Sequence, residues 1–358
     1  MANDTKRAFI MLNRRQELIL GHIKDQKEVS RKEIELYVSR AFPEKNSRIT
    51  ILRDLELLIA DGLIVRTGKA RGTTYHPSPR SVLLDTLDVD TYFDQDLDQR
   101  VLRSETFNFD IWPHLTGLLT EPEKRELDAL NQQYREGRAS MTPTVLQKEL
   151  ERLTIEFSWK SSKIEGNTYT LLDTEQLIKD HVEATGKTRD EAVMILNHKD
   201  ALDCVFTNAD YFRELSPAKI EHVHRLLVKD LGVTHGIRKN LVRITGTNYR
   251  PLDNVFQIQE AMNALCILVN QSVHPIEKAL ITVLMISYIQ PFEDGNKRAS
   301  RILGNALLLA HNCCPLSYRS VDEVEYKKGI LLFYEQNNLS YFKTIFIDQF
   351  RQAITKYF

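Results

Sequence analysis

The chain has 358 residues, 42% of them hydrophobic, and a formal net charge of −1 at pH 7. That length and composition predict a folded, multi-part protein with a real core. The longest nearly pure apolar run, residues 279–289, is too short to cross a bilayer, and the first residues lack a secretory apolar region. Both features exclude a membrane-spanning or secreted class, and we expect a cytoplasmic protein with no membrane partner.

The first part of the chain predicts three helices followed by a basic hairpin. The stretches RRQELILGHIKDQ, SRKEIELYVSRAF and SRITILRDLELLIADGLI each have the apolar spacing of a helix packed on one side. Ser30 and Ser47 suit N-caps, and Gly62 lies where a left-handed residue ends a helix. The hairpin VRTGKARGTTYH carries three cations: Arg66, Lys69 and Arg71.

The outward face of the third predicted helix suits DNA, since arginines read guanine edges and hydroxyls take phosphates. This face carries Ser47, Arg48, Thr50 and Arg53. Residues 1–77 carry a net charge of about +5 and the rest about −6. The string SRITILRDLELLIADGLIVRTGKARG resembles the winged helix-turn-helix of bacterial repressors of the deoxyribose-operon type, over about residues 12–78. The resemblance implies duplex DNA as a partner, and a protein-interaction module is the alternative.

We expect a winged helix-turn-helix domain at residues 1–78, an acidic linker at 79–110 and a mostly helical domain at 111–358. The linker prediction rests on a loosened apolar pattern and a cluster of aspartates. The segment LVRITGTNYRPL, with alternating β-branched residues around Gly246, predicts a hairpin among the helices. The helices of the last domain are expected at about 121–137, 143–164, 171–184, 188–207, 216–230, 254–271, 275–289, 296–311, 322–335 and 340–357.

The stretch YIQPFEDGNKRASR, residues 288–301, places a turn between two of these helices. Backbone N–H groups at the start of the second helix, with the helix dipole behind them, form an anion site. Arg298 and Arg301, three residues apart, share one face of that helix and suit a polyphosphate. Asp294 would repel bare phosphates, but it suits a Mg²⁺ ion that bridges them.

This stretch resembles the signature of the Fic (Fido) family, H-x-F-x-[DE]-G-N-[GK]-R-x-x-R. The matching positions are Phe292, Asp294, Gly295, Asn296, Lys297, Arg298 and Arg301. The resemblance covers about residues 105–358 and implies ATP as substrate or ligand, with AMP transfer to a Ser, Thr or Tyr hydroxyl. It implies Asp294 as the Mg²⁺ ligand, residues 295–298 as the phosphate cradle and Arg301 as the γ-phosphate partner. The fold class expected is mainly α, a winged helix with a small β wing followed by an all-α Fic fold carrying a β-hairpin flap.

Two further segments agree with the resemblance. SSKIEGN, residues 161–167, is similar to the inhibitory motif of the family, [ST]-x-x-x-E-[GN], which implies that Glu165 pairs with Arg301 and holds ATP out of its productive pose. The motif residues are Ser161, Glu165 and Gly166. The alternative is an ordinary helix end with a Gly cap. The hairpin lies where the family has a flap that captures a target strand, here Val242, Arg243, Ile244 and Thr245.

Gln290 departs from the family signature, which has a catalytic histidine at this position. That histidine takes a proton from the attacking hydroxyl, which an amide cannot do, and losing a general base typically costs about 10²- to 10⁴-fold. His274 and His311 fall at the far ends of the flanking helices, and His235 near the flap is a weak candidate replacement. Three interpretations stay open: a weakened, Glu165-restrained adenylyltransferase, a non-catalytic nucleotide-responsive DNA-binding regulator, and a helical interaction protein with a vestigial pocket. The partners expected are a nucleotide, DNA, a protein target or the protein itself, and a second copy of the chain.

Overall fold

The computed structural model describes residues 12–42, 47–69 and 72–357, and these fall into two compact units that divide after Thr86. The predicted cation Arg71 lies outside the described residues. Among them, none of the helices has the length and apolar character needed to span a bilayer. The mainly α class predicted from the sequence is confirmed, because helices dominate and the strands form one small sheet.

The described residues of the first unit form four α-helices and three short strands. The helices are α1 (Arg14–Gln26), α2 (Arg31–Ala41), α3 (Arg48–Ala60) and α4 (Pro79–Leu83), and the strands are β1 (Val29–Ser30), β2 (Ile64–Thr67) and β3 (Thr74–Pro77). The sheet has the order β1-β3-β2, with both pairs antiparallel and Val29 opposite Tyr75. Isoleucines and leucines of α1, α2 and α3 form its core.

Caps fix the helix ends of this unit as the sequence predicted. The Ser30 hydroxyl accepts from the N–H of Glu33, and Ser47 accepts from the N–H of Thr50. Gly62 has a φ of 68°, the left-handed conformation that ends α3 and leads into β2. The unit therefore begins and ends its helices where local sequence dictates.

The second unit, residues 87–358, holds the remaining helices. In chain order they are α5 (Val89–Phe93), α6 (Glu121–Ser140), α7 (Pro143–Ile164), α8 (Leu171–Asp180), α9 (Arg189–Thr207), α10 (Pro217–Leu227), α11 (Val255–Gln271), α12 (Pro275–Ile289), α13 (Asn296–Ala310), α14 (Glu323–Gln336) and α15 (Ser340–Tyr357). α8 ends four residues earlier than expected, because His181 takes a left-handed conformation at its C-cap.

The centre of this unit is the pair α12 and α13. Every residue of α12 from Ile276 to Ile289 is buried. At Gly304 an added Cβ would lie 2.8 Å from Val283 Cγ2, so glycine is needed for the two helices to approach this closely. The turn that joins them is therefore held between two rigid, buried elements.

The expected linker at 79–110 is shared between the units. Residues 79–86 include α4 and belong to the first unit, whereas residues 87–110 pack on the second. The reason lies in buried polar contacts: Tyr92 donates to Glu335 at 2.6 Å, and Arg100 bonds the same carboxylate at 3.2 Å. The exact domain boundaries stay a prediction.

The segment expected to form a hairpin differs from that expectation. Within the described residues, 241–252 form a loop that turns at Gly246, with no strand. Its C-terminal half pairs elsewhere, since the Arg250 N–H donates to the Glu105 carbonyl at 2.8 Å and Thr106 forms a bridge with Arg250. The backbone that would complete a hairpin is thus used by another part of the chain. We keep the name flap for residues 240–252.

Candidate functional site

The site is built around the turn between α12 and α13. Gln290 caps α12 in a left-handed conformation, with a φ of 52°, and Gly295 precedes α13 with a φ of 81°. A Cβ at Gly295 would lie 3.1 Å from Val228 Cγ1, so a larger residue would crowd this corner. α13 has no side-chain cap, which leaves its first N–H groups available to an anion.

A cavity of about 440 Å³ opens onto this turn. This volume lies in the range of small-molecule sites. Four elements line it: the end of α7, the flap, the turn with the start of α13, and α14. The lining residues are Ile164, Glu165, Gly166, Val242, Arg243, Ile244, Thr245, Gln290, Glu293, Asp294, Gly295, Asn296, Lys297, Arg298, Tyr326, Lys327, Ile330 and Leu331. The structure thus brings Glu165, Gly166, the predicted flap residues and residues 295–298 to one cavity, whereas Ser161 and Arg301 are buried beside it and are not among its lining residues.

Arg301 is the most constrained cation of the site. Its side chain is fully buried, and Nη2 donates to Glu165 Oε1 at 2.9 Å. Nε donates to Ser161 Oγ and Nη2 also donates to the Ser161 carbonyl, both at 2.9 Å. Nη1 is buried and has no hydrogen-bond partner of acceptable geometry among the described residues. The centre of the guanidinium lies 5.4 Å from the centroid of the Tyr326 ring, so this buried group is enclosed by Ser161, Glu165 and Tyr326.

Charges around Glu165 hold it ionised. Burial opposes ionisation, but the positive charges of Arg301 and Lys297 outweigh it, so the pKa of Glu165 is lowered. Burial likewise disfavours the charged form of Arg301, yet Glu165 raises the pKa of the guanidinium above its ordinary value. Lys297 Nζ lies 3.8 Å from Glu165 Oε2. Glu165 is therefore held as a carboxylate between two cations at the edge of the cavity.

Arg298 and Asp294 form a second pair in the turn. Arg298 Nη2 donates to Asp294 Oδ2 at 2.7 Å, and the Arg298 side chain is 2% exposed, whereas that of Asp294 is 66% exposed. The described residues contain no cluster of three metal-ligating side chains. Asp294 alone fits a Mg²⁺ ion that takes its other ligands from phosphates and water, as Mg²⁺ commonly does.

Both polar atoms of the Gln290 side-chain amide form hydrogen bonds. Its Nε2 donates to the Ser287 carbonyl at 2.6 Å, and its Oε1 accepts from Asn296 Nδ2 at 2.9 Å. Asn296 in turn accepts from the Phe292 N–H at 2.9 Å. Gln290 is 7% exposed and lines the cavity. Its side chain fixes the loop, and it has no group that could take a proton at neutral pH.

Phe292, one of the positions that match the family signature, anchors the turn in the core. Its ring is fully buried and stacks on His224, with centroids 3.7 Å apart and planes 10° from parallel. His224 Nε2 hydrogen-bonds the Asp294 carbonyl at 2.9 Å. Burial lowers the pKa of His224 to about 4, so the ring is neutral and donates to that carbonyl.

Sequence reasoning missed His224 and a second buried histidine, His198. His198 Nε2 lies 2.9 Å from Ser161 Oγ, and its Nδ1 lies 2.8 Å from the Met194 carbonyl. Burial lowers its pKa to about 3, so a neutral ring with its proton on Nδ1 accepts the Ser161 proton. No local spacing pairs α9 with α7, so the sequence held no signal for this contact.

The other histidines considered as replacement bases lie elsewhere. His274 is the N-cap of α12 and His311 the C-cap of α13, each at the end of its helix opposite the turn. His235 does not line the cavity. Gln290 is therefore the residue at the head of the turn, with no histidine among the residues that line the cavity.

The residues predicted to contact DNA lie on α3 of the first unit. Ser47, Arg48 and Arg53 are exposed, and Thr50 is half-buried. The Ser47 and Thr50 hydroxyls bond each other at 2.8 Å, and Arg48 Nε lies 3.4 Å from Glu35 Oε1. The two hydroxyls are thus used in capping α3, whereas Arg53 points outward as expected.

Known proteins share the second unit. Residues 214–308 match the model of the Fic/DOC family. Among curated relatives, protein adenylyltransferase Fic of Nematostella vectensis is 26% identical over 51% of this chain and 43% of that protein. Protein adenylyltransferase Fic of Drosophila willistoni is 30% identical over 42% of this chain and 31% of that protein. The match therefore spans less than half the length of either relative.

Solved structures agree on the fold. Fic-1 of C. elegans superposes with a TM-score of 0.58 at 20% identity, over 66% of this chain and 70% of that chain. A Fic-domain-containing signaling protein of Bacteroides thetaiotaomicron gives 0.53 at 20% identity, over 65% of this chain and 96% of that chain. Residues 214–308, within the unit that carries the cavity, are accordingly similar to the Fic/DOC family, and the fold resembles that of solved Fic-domain structures.

Proposed function

We propose that this chain is a nucleotide-binding protein of the Fic type that holds Mg²⁺-ATP in the cavity and transfers AMP slowly to a protein hydroxyl, its own or a partner's. One observation carries the proposal: the uncapped N-terminus of α13 and the buried Arg298 line the cavity, and the buried Arg301 of the same helix bonds Glu165, which also lines it. Two arginines beside free N–H groups suit a polyphosphate. The names of the relatives support a nucleotidyl transfer.

Different residues of the site would bind the phosphates, neutralise their charge and hold the metal ion. The N–H groups that follow Gly295 would hold phosphate oxygens, and Arg298 and Arg301 would neutralise them. Asp294 would carry the Mg²⁺, which supplies charge stabilisation between phosphates when bound. The apolar side chains of α14 and the flap leave room beside the phosphates for the adenine ring of the nucleotide. This arrangement positions a nucleotide without any histidine.

Gln290 limits the chemical step. Its amide contacts Ser287 and Asn296 and keeps the turn in place, but it cannot accept a proton from an attacking hydroxyl. Binding and positioning therefore persist while transfer is slowed. Glu165 adds a second restraint, because it holds Arg301 in a contact that a phosphate would have to replace.

A second function, a nucleotide-responsive DNA-binding regulator, draws on the first unit. Its helices α1 to α3 and its small antiparallel sheet, with Arg53 exposed on α3, are compatible with a winged helix in a major groove. In that case the nucleotide would be a signal and not a substrate. Replacing both Arg48 and Arg53 by alanine would then abolish DNA binding by the first unit.

Incubation with ATP labelled on the α-phosphate separates these functions. We expect faint self-labelling by the wild-type chain and by Glu165→Gly, and strong labelling by the double variant Glu165→Gly with Gln290→His. A positioned base should raise the rate by about 10²- to 10⁴-fold. Equal labelling by Glu165→Gly and the double variant would show that another base serves, and His235 would be the first to replace. No labelling of the double variant, with nucleotide bound, would favour the regulator.

A further inference from the structure

One buried arginine outside the signature joins the flap to the residue at the head of the turn. Arg238 is 3% exposed, and its guanidinium donates only to backbone carbonyls. Nε donates to the Gln290 carbonyl at 2.6 Å, Nη1 to Asn240 at 2.8 Å, and Nη2 to Leu252. Its own N–H donates to the Pro291 carbonyl at 2.9 Å.

These carbonyls belong to residues at the ends of the flap and at the head of the turn. Asn240 and Leu252 are the two ends of the flap, and Gln290 is the residue at the position of proton transfer in the family signature. A guanidinium presents its donors in a fixed plane, so three acceptors bound to one group keep a fixed spacing. No other cation could do this: a lysine ammonium has its donors at a single point.

The two halves of the flap differ in what else holds them. The C-terminal half is bonded several times: Arg100 donates to the Gly246 carbonyl at 3.3 Å, Tyr249 to the Tyr288 carbonyl at 2.9 Å, and the Arg250 N–H to Glu105. In contrast, the backbone of residues 241–245 forms no hydrogen bond within the part of the chain that is described. This unbonded half lines the cavity.

The charge of Arg238 argues against a role in general stability alone. Burial lowers the pKa of its guanidinium, although Tyr249 and the Asp253 carboxylate oppose that shift, and among the described residues its hydrogen bonds go to carbonyls and to no carboxylate. A buried cation satisfied only by carbonyl dipoles is costly unless its geometry is needed. An apolar side chain could fill the same space but could not fix three carbonyls.

We propose that Arg238 is a positioning residue that sets the place of the unbonded half of the flap, residues 241–245, relative to Gln290. The backbone of this half is then presented at a fixed distance from the site of transfer. The idea that this backbone then positions a target strand rests on the proposed function. The positional claim itself does not, because it concerns the nucleotide-free protein.

Limited trypsin cleavage of the native full chain tests the positional claim. Arg243 is exposed in the unbonded half, and cleavage after it requires that half to leave its place. We expect Arg238→Gln to be cut after Arg243 about tenfold or more faster than wild type, because cleavage tracks the population of the open form. Arg238→Lys keeps the charge and should fall between the two.

The matched control is Arg250→Gln, which removes an exposed arginine at the other end of the same segment, where it pairs with Glu105 at 2.8 Å. It should leave cleavage after Arg243 within about twofold of wild type. Thermal unfolding and cleavage in other loops are followed in parallel. Unchanged cleavage after Arg243 in Arg238→Lys would overturn the proposal, and so would a general rise in cleavage that matches a fall in Tm.

Calorimetry with Mg²⁺-ATP separates this inference from the proposed function. Arg238 does not touch the cradle, so Arg238→Gln should bind nucleotide within about threefold of wild type. In the activity-restored background, Glu165→Gly with Gln290→His, Arg238→Gln should lower the labelling rate without raising the KM for ATP. A rise in that KM equal to the fall in rate would make Arg238 a nucleotide-site residue and contradict the proposal. If no variant binds nucleotide, the proposed function fails while the cleavage result still decides the role of Arg238.

Discussion

The pair of Glu165 and Arg301 allows one prediction to be worked out in detail, with Glu165→Gln as the perturbation. The change keeps the side-chain shape and removes the charge that Arg301 Nη2 contacts at 2.9 Å. Two opposite effects follow. The nucleotide-free protein loses stability, because a buried guanidinium loses its counter-ion, and nucleotide affinity rises, because a phosphate no longer competes with a carboxylate.

The structure sets the size of each effect. Removing one partner of a buried ion pair costs about 3–5 kcal/mol. Arg301 keeps its two bonds to Ser161 and lies 5.4 Å from the centroid of the Tyr326 ring, so we expect a smaller loss. We estimate a loss of about 2 kcal/mol in unfolding free energy and a gain of about 1–2 kcal/mol in binding free energy, which lowers the Kd by roughly 5- to 30-fold.

Urea unfolding and calorimetric titration with Mg²⁺-ATP measure the two effects. Saturating nucleotide should restore much of the lost stability, because it binds only the folded state and supplies the missing negative charge. Glu156→Gln is the matched control: Glu156 lies on the same helix, is 3% exposed and contacts Arg319 away from the cavity. It should lose stability with no change in nucleotide affinity.

The reasoning fails if Glu165→Gln binds nucleotide no more tightly than wild type while it loses stability. Glu165 would then be a structural counter-ion and no restraint. It also fails if both glutamate variants change affinity alike, because the effect would then be general and not a property of the cavity.

Further predictions concern pH, metal and DNA. His198 has a pKa of about 3 in the folded protein and about 6.5 in the unfolded chain. Its contribution to the free energy of unfolding is therefore fully present above about pH 6.5 and is lost as the pH drops. By pH 4 the loss from His198 should be about 3 kcal/mol, and urea unfolding of wild type and His198→Gln at pH 7 and pH 4 should show a smaller loss in the variant. Asp294→Asn should remove most of the Mg²⁺ dependence of ATP affinity, measured by titration with and without the metal, and an unchanged dependence would assign the metal to other ligands. The full chain should bind duplex DNA with a steep salt dependence that the Arg48→Ala, Arg53→Ala variant loses. A flat salt profile would favour a protein-interaction module.

Local chemistry made the helices of the second unit predictable. α7 runs from Pro143 to Ile164 and α12 from Pro275 to Ile289, as the sequence indicated. In both cases proline occupies the first turn, where its missing N–H costs nothing. The left-handed end of α8 at His181 carried no such signal, because only the fold requires that conformation.

The site was predictable only where its residues are close in the chain. The turn from Gln290 to Gly295 and the arginines of α13 follow one another, so their convergence could be inferred. His198 and Arg238 reach the site from other elements through hydrogen bonds between residues far apart in the chain, and no spacing in the sequence predicts such contacts. The flap was expected to form a hairpin, but the backbone of its C-terminal half hydrogen-bonds the segment near Glu105.

Titration of the wild-type chain with Mg²⁺-ATP and with Mg²⁺-ADP in a calorimeter tests the central claim most directly, that the turn before α13 is a nucleotide site. The account predicts a saturable heat for at least one of them at or below about millimolar concentration, even with Gln290 in place. It also predicts loss of that heat in Arg298→Ala and its retention in Arg351→Ala, whose arginine pairs with Glu126 on another face. No heat with any nucleotide at that concentration, in wild type and Glu165→Gln alike, would contradict it.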